Sequence, residues 1–410
     1  STGTIQNLDS GLTGSITAVG GGWYRCSATA TAAATASNTV QIRTATASTS
    51  FYQGNGTGTI YLWGAQLEQA STVGEYIPTT SSINSAPGGD HNPTTGESLG
   101  LLVEDQRANL ALNSATFQPS AAISPPAYTI DQVAPDGTLT GSRQTAAGLR
   151  TFVDYTGIAN ALYTFSFYCR VTSGTAAFTI QLKNAVSDTV ITSDTSPVAT
   201  TTWKRFSING TTNGATPGAR VEFVGVVPGF VFWGAQLEAG AFATSYIPTT
   251  TAAATRNADV ASITGTNFSS WYRQDEGTMF AFSSSYGATN SSRRIAFATD
   301  GTTANRFGLL YNNSNNPQIV VASAGTINAV PSVALTGATY AIAAAYKLDD
   351  YAISAAGSAP STDTSGALPV SINQLSIGSQ LNTEPLNGTI RRLTYWPQRL
   401  PDSTLQAITQ

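Results

Sequence analysis

Six acidic residues stand in three adjacent pairs, Glu104-Asp105, Asp275-Glu276 and Asp349-Asp350. Glycan cleavage needs two carboxylates flanking the scissile bond, about 5–5.5 Å apart for retention and about 6.5–9.5 Å for inversion. Neighbouring residues of an extended chain point to opposite faces, so these pairs suit solvated turns better than an acid/base couple. A Ser/His/Asp triad would have to use His91, the single histidine, in a polar loop. Neither a Gly-Lys-Ser/Thr phosphate loop nor a dinucleotide glycine fingerprint occurs. The chain is expected not to be an enzyme.

Binding chemistry is better supplied. Residues 311–317, Tyr-Asn-Asn-Ser-Asn-Asn-Pro, set an aromatic and four amides around one turn. Residues 286–294 carry Tyr286 and Arg293 among small polar residues. Aromatic faces stack on the apolar face of a pyranose, and amides and guanidinium groups give directional hydrogen bonds. Tyr311, Asn312, Asn313, Asn315, Tyr286 and Arg293 are therefore the candidate carbohydrate contacts, although Asn-rich stretches also make plain hairpin turns. Asp300, Asp349 and Asp350, with backbone carbonyls, could hold calcium, which takes six to eight oxygens. Asp300-Gly301 is equally a hairpin signal, and calcium aside no cofactor is implied.

What must position these groups is a repeated strand. Trp-Gly-Ala-Gln-Leu-Glu occurs at 63–68 and again at 233–238, each followed seven residues later by Tyr-Ile-Pro-Thr-Thr, at 76–80 and 246–250. Across the two 18-residue windows 11 positions agree without a gap. The same domain thus occurs twice. Upstream, Trp23-Tyr24-Arg25 matches Trp203-Lys204-Arg205. Strict alternation places Trp233, Ala235 and Leu237 on one face, with the Trp filling a sandwich, and Gly234, Gln236 and Glu238 on the other. Either Gln and Glu face a sugar, or the whole strand is structural; sharing of the entire hexapeptide favours structure, since loop contacts diverge. Pro78 and Pro248 are read as ending the last strand in a chain-exit clasp.

Only 10% of residues are charged, against roughly 25% in an average soluble protein. Yet 16 Phe, 16 Tyr and 6 Trp are too many aromatics for an unfolded chain. Short alternating strands separated by Gly, Asn and Pro predict β-sandwiches, with residues 402–408 the one good helix and Asp402 or Ser403 as its cap. A net charge of −4 without a basic run argues against nucleic acid. No apolar stretch reaches 18 residues, which argues against membrane insertion. Cys26 and Cys169 are read as small buried hydrophobes.

The fold class expected is all-β: jelly-roll sandwiches in tandem, the last of laminin-G/concanavalin type with a short C-terminal helix. Residues 1–82 form a partial carbohydrate-binding-module-like sandwich, 83–106 a linker, 107–251 a complete sandwich and 252–410 the laminin-G-like one. Residues 90–110, 134–138, 233–238 and 246–250 resemble the binding modules of bacteriophage tail-fibre and tail-spike proteins. Residues 255–260, 267–272, 388–396 and 400–408 resemble the entry and close of that class's laminin-G-like unit. Enzymes resembling that architecture carry Glu-x-Asp-x-x-Glu on one strand, and this chain does not. The resemblance implies a virion appendage that attaches to host cell-surface glycan, among other virion proteins; the rival readings are a structural head or tail decoration and a glycan depolymerase. The first copy lacks any counterpart of residues 99–163. Its opening strands would come from preceding polypeptide or a neighbouring subunit, and a homo-oligomer, trimeric by that resemblance, is expected.

Overall fold

Leu162–Val171 alternates Tyr163, Phe165, Phe167 and Cys169 with polar residues, and these four side chains are buried. A strand with one such apolar face needs a second sheet to cover it. The computed structural model, described for residues 12–20, 23–31, 88–91, 98–119, 126–147, 151–155, 160–212, 218–286, 291–335, 337, 339–381 and 383–410, supplies it. The architecture is all-β, and among the described residues helix is limited to one turn at Thr266–Ser269, a 3-10 turn at Ser114–Thr116 and the terminal Asp402–Ile408. The chain divides into two units, 1–82 and 83–410.

In the first unit, Leu12–Gly20 and Trp23–Ala30 form an antiparallel hairpin in which Ile16 faces Cys26. Cys26 is exposed, not buried as expected, whereas Cys169 is buried and its thiol is pushed up by desolvation. Residues 63–68 and 76–80, and most of the strands assigned to the partial sandwich, lie outside the described residues.

The second unit holds two sandwiches. One packs a five-stranded sheet, ordered Lys204–Thr211, Leu162–Val171, Phe230–Ala239, Gly141–Ala146, Ala127–Gln132, on a four-stranded one, ordered Val190–Asp194, Thr179–Asn184, Ala219–Val224, Thr151–Tyr155. Phe165, Phe167, Phe230 and Phe232 of the first meet Ile180, Leu182, Val221 and Phe223 of the second. The other sandwich packs a six-stranded sheet on a seven-stranded one. Two strands of the latter, Gly89–His91 and Ser98–Val103, come from the stretch expected as a linker, and Ser98–Val103 pairs with Gly388–Trp396. Leu101 and Val103 pack on this second core, a burial that a six-residue strand hides from periodicity. The chain thus starts the last sandwich, leaves to build the other, and returns. Asp402 lies in the first helical turn, bound to Arg399 at 2.6 Å, rather than capping; Pro401 is the N-cap.

The two crossings run side by side, Arg107–Asn109 antiparallel to Ala254–Arg256. Buried charges line them. Arg256 reaches Glu104 at 3.0 Å and Asp259 at 3.5 Å, and both carboxylates are 3% exposed. Glu104 also accepts from the Ser245 N–H at 2.9 Å. Arg107 lies 3.2 Å from Asp105 and 3.8 Å from the buried Glu238. Asp105 is tied to the last sandwich by its N–H, which donates to Asn387 at 2.9 Å. Removing one member of a buried ion pair leaves an uncompensated charge and costs about 3–5 kcal/mol.

Burial pushes the Glu104 and Asp105 carboxyls above their ordinary 4.5 and 3.8, although Arg256 and Arg107 pull the other way. A raised folded-state pKa gives stability that is fully present below the unfolded value and lost as pH rises through the folded one. Glu104→Gln should therefore gain on the native chain as pH is raised above 4.5, while Arg256→Ala should lose about 3–5 kcal/mol at neutral pH. Urea denaturation across a pH series checks both, and a gap between Glu104→Gln and native that is independent of pH contradicts the assignment.

Candidate functional site

The second copy of the hexapeptide, residues 233–238, is structural, but not as alternation predicts. Opposite Phe230–Ala239, register slips between Trp233 and Gln236, so that an extra residue is accommodated at Gly234, whose φ is +64°. Such a bulge reverses the parity of everything after it. Phe232, Ala235 and Leu237 enter the core, while Trp233, Gln236 and Glu238 share the outer face. A Cβ at Gly234 would sit 3.0 Å from the Tyr168 ring in a left-handed backbone, which favours Gly.

That outer face is covered by the chain's own exit segment. Tyr246 packs on Trp233 at 4.5 Å between centroids, and Trp233 is 3% exposed. The Ile247 N–H donates to Gln236 Oε1 at 2.7 Å, and Gln236 Nε2 donates to Glu238 at 2.8 Å. Glu238 also accepts from the N–H and hydroxyl of Thr244 at 2.8 and 2.7 Å. In the second copy, residues 246–250 thus clasp residues 233–238. The strand ends at Ala239, well before Pro248.

The loop candidates are mostly supports. Tyr311 is fully buried, its hydroxyl 3.0 Å from Ser283 Oγ, so it offers no face to a sugar. Arg293 is 1% exposed, donating to Ser285 Oγ at 2.5 Å and to Asn315. Asn312 holds its own turn by accepting from the N–H groups of Ser314 and Asn316 at 2.9 and 3.1 Å. Asn313 is the exposed member and accepts from Ser292 at 3.1 Å. Tyr286 is apart from this hairpin, donating to Asp90 at 2.6 Å near Phe242. Alternation within Arg306–Tyr311, which sends Tyr311 inward with Phe307 and Leu309, was the signal against a stacking role.

The calcium candidates are turn formers. Asp300 accepts from Thr302 and Asn305, and although burial opposes it these donors hold its carboxyl below the usual range. Asp349, at φ +55°, accepts from the Gly366 N–H at 2.9 Å. Asp350 pairs with Arg399 at 2.7 Å. Among the described residues no group of three or more His, Cys, Asp or Glu gathers for a metal.

An aromatic cleft of about 530 Å³ opens in the last sandwich instead, lined by Trp271, Tyr272, Arg273, Thr394 and Tyr395 above Met279 and Leu393. The turn Thr266–Ser269 buries Phe268, and the chain after it lays Trp271 and Tyr272 on that ring at 4.9 and 4.6 Å. Trp271 lies 5.1 Å from Tyr395, and its N–H is anchored on the Asn267 carbonyl. Tyr395 accepts from the Arg273 N–H at 3.1 Å and shares a 2.8 Å hydrogen bond with Tyr346. Burial pushes the Tyr272 phenol up, so it remains neutral. Arg273 is 46% exposed beside Asp275. Rigid, half-buried rings with a guanidinium at the rim can hold a pyranose face and its oxygens. Residues 267–272 read in sequence only as a domain entry; the aromatic spacing 268, 271, 272, one helical turn, was the available signal.

No protein-family model matches the chain, and no curated protein does. Among solved structures, the CBM40 module of the Ruminococcus gnavus IT-sialidase, solved with α2,3-sialyllactose, is similar at 17% identity and TM-score 0.30, over 33% of this chain and 83% of that one. The NanB sialidase of Streptococcus pneumoniae is similar at 15% identity and TM-score 0.30, over 36% of this chain and 26% of that one. The leech intramolecular trans-sialidase is similar at 15% identity and TM-score 0.27, over 33% and 23%. At such values neither fold nor function is argued from the likeness.

Two substitutions test the clasp. Trp233→Ala should cost about 3–5 kcal/mol, and Gln236→Ala, which strands the buried Ile247 N–H, about 1–3 kcal/mol. Asn313→Ala should change stability by under about 0.5 kcal/mol. Denaturant midpoints measure all three; a neutral Trp233→Ala contradicts the structural reading of the repeat.

Proposed function

We propose that this protein is a non-enzymatic attachment protein of a bacteriophage particle, and that the aromatic cleft of its last sandwich holds host-surface glycan. The observation that carries the reading is the cleft itself, where Trp271 and Tyr395 are fixed by their own hydrogen bonds beside the half-exposed Arg273. Rings ordered before ligand arrives lose little entropy on binding. The resemblance of the repeated and terminal motifs to tail-fibre modules supports the virion setting, contact with other virion proteins, and an oligomer with trimeric symmetry. A binding rather than hydrolytic role is supported by the pairing of its adjacent acids: Asp275 and Asp350 face Arg273 and Arg399, and Glu104 faces Arg256.

Arg273→Ala should weaken adsorption to host cells about tenfold, the factor that 1.4 kcal/mol represents, with the denaturation midpoint unchanged. Trp271→Ala should weaken it at least as much. Unchanged adsorption for both removes the cleft from the function. Release of reducing sugar from host polysaccharide would favour a depolymerase. Absence of any glycan binding, with the chain found along the shell of the particle, would favour a structural decoration.

A further inference from the structure

The aromatic cleft of the last sandwich is apolar below its rim. Two sheet ends bound it. Ala261–Thr264 is the end strand of the six-stranded sheet, and there Ile263 lies opposite Leu375. In the seven-stranded sheet, Ser98–Val103 pairs with Gly388–Ile390 alone, so Leu393 and Tyr395 lie beyond the last of those pairs. On their other side Leu393 is opposite Ala281, and Tyr395 is opposite Met279. Cross-strand partners share a face, and Leu375, Ala281 and Met279 all belong to the core between the two sheets. Ile263, Leu393 and Tyr395 therefore point inward. All three are half-buried, and all three line the cleft.

The rings add no available polar atom to that space. The Trp271 N–H is bound to the Asn267 carbonyl, and the Tyr395 hydroxyl is engaged by the Arg273 N–H and by Tyr346. The Tyr272 hydroxyl is buried. Polar groups stand at the rim instead, where Ser270 and Arg273 are exposed. A sugar lodged here must keep its hydroxyls at that rim and set a group without hydrogen-bonding atoms on Ile263 and Leu393. A hydroxymethyl arm in that place would lose its water and gain no partner, which is unfavourable. An acetyl arm would strand its carbonyl for the same reason, and a carboxylate would fare worse. A methyl group strands nothing and buries apolar area.

We infer that the sugar held by this cleft is a 6-deoxyhexose. Its ring stacks on Trp271, its methyl rests on Ile263 and Leu393, and its hydroxyls meet Ser270 and Arg273. The inference rests on the glycan-binding reading of the same cleft and adds to it the class of sugar.

The probes are methyl quinovoside, which is the 6-deoxy form of methyl glucoside, and methyl glucoside itself. They differ by a single hydroxyl. Each is titrated into the full chain and followed by saturation-transfer NMR. The deoxy sugar should bind about tenfold more tightly, the low end of what one small group is worth in an apolar pocket. Its methyl should receive the strongest transfer. Ile263→Thr keeps the β-branched shape and sets a hydroxyl on the floor of the cleft; it should erase the preference while both glycosides still bind. Trp271→Ala should remove the binding of both. The transfer pattern is read on the native chain, so the assignment stands or falls even where a variant does not fold. Equal binding of the two glycosides, binding of neither, tighter binding of methyl 6-O-acetylglucoside, or strongest transfer at a ring proton overturns the assignment. Host adsorption separates this failure from that of the underlying reading. Adsorption lost in Trp271→Ala, with the two glycosides bound equally, sinks the sugar class alone, and adsorption unchanged in both Trp271→Ala and Arg273→Ala sinks the reading beneath it.

Discussion

One side-chain amide ties together the segments on which the second unit depends. Asn109 is fully buried, and both ends of its amide are in use. Its Nδ2 donates to the carbonyls of Ala235 at 3.0 Å and Ile247 at 2.8 Å. Its Oδ1 accepts from the N–H groups of Ala111 at 2.9 Å and Leu237 at 3.0 Å. Four bonds exhaust what a carboxamide can make. They join the strand that enters the sandwich, the strand that closes it and the segment that leaves it. The bulge at Gly234 breaks the ladder at this point, and a broken ladder exposes backbone groups that must be paired when buried. Asn109 pairs them.

From that pin the rest follows in order. With the exit segment fixed, Tyr246 covers Trp233, and Gln236 and Glu238 acquire partners that keep their polar atoms satisfied away from water. Returning beside its own entry, the chain brings Arg256 against Glu104 and Asp259, and Arg107 against Glu238. The junction between the sandwiches is thus polar and dense with charge. Buried pairs of this kind add little net stability compared with apolar packing, and breaking one is expensive. They fix the route of the chain from one sandwich to the other and back.

The two clefts owe their form to the same economy of covering. In the last sandwich, the short turn at Thr266–Ser269 plugs the space between sheets with Phe268 and leaves Trp271 and Tyr395 half-buried at the opening. In the other, the Ser114–Thr116 turn with Phe117 fills the core side, and among the described residues a cleft of about 650 Å³ remains between Ala127–Gln132 and Thr151–Tyr155. Sandwiches that do not close into barrels keep edges, and here both openings carry polar groups rather than bare backbone.

Sequence alone determined the β class, the duplication of the hexapeptide and of the exit pentapeptide, and the terminal helix. These follow from local periodicity and from self-similarity, which act over a few residues and are visible without contacts. Tertiary structure decided which way the repeated strand faces, because one inserted residue at Gly234 inverts parity and no pattern of letters reports where register slips. It decided that Tyr311 and Arg293 are interior and that Trp271 and Tyr395 line an opening, since exposure depends on which segments arrive from far along the chain. It also placed Ser98–Val103 in the last sheet and gave Asn109 its role, through partners more than 120 residues away. Contacts at that separation leave no local signature, and only the folded chain brings them into view.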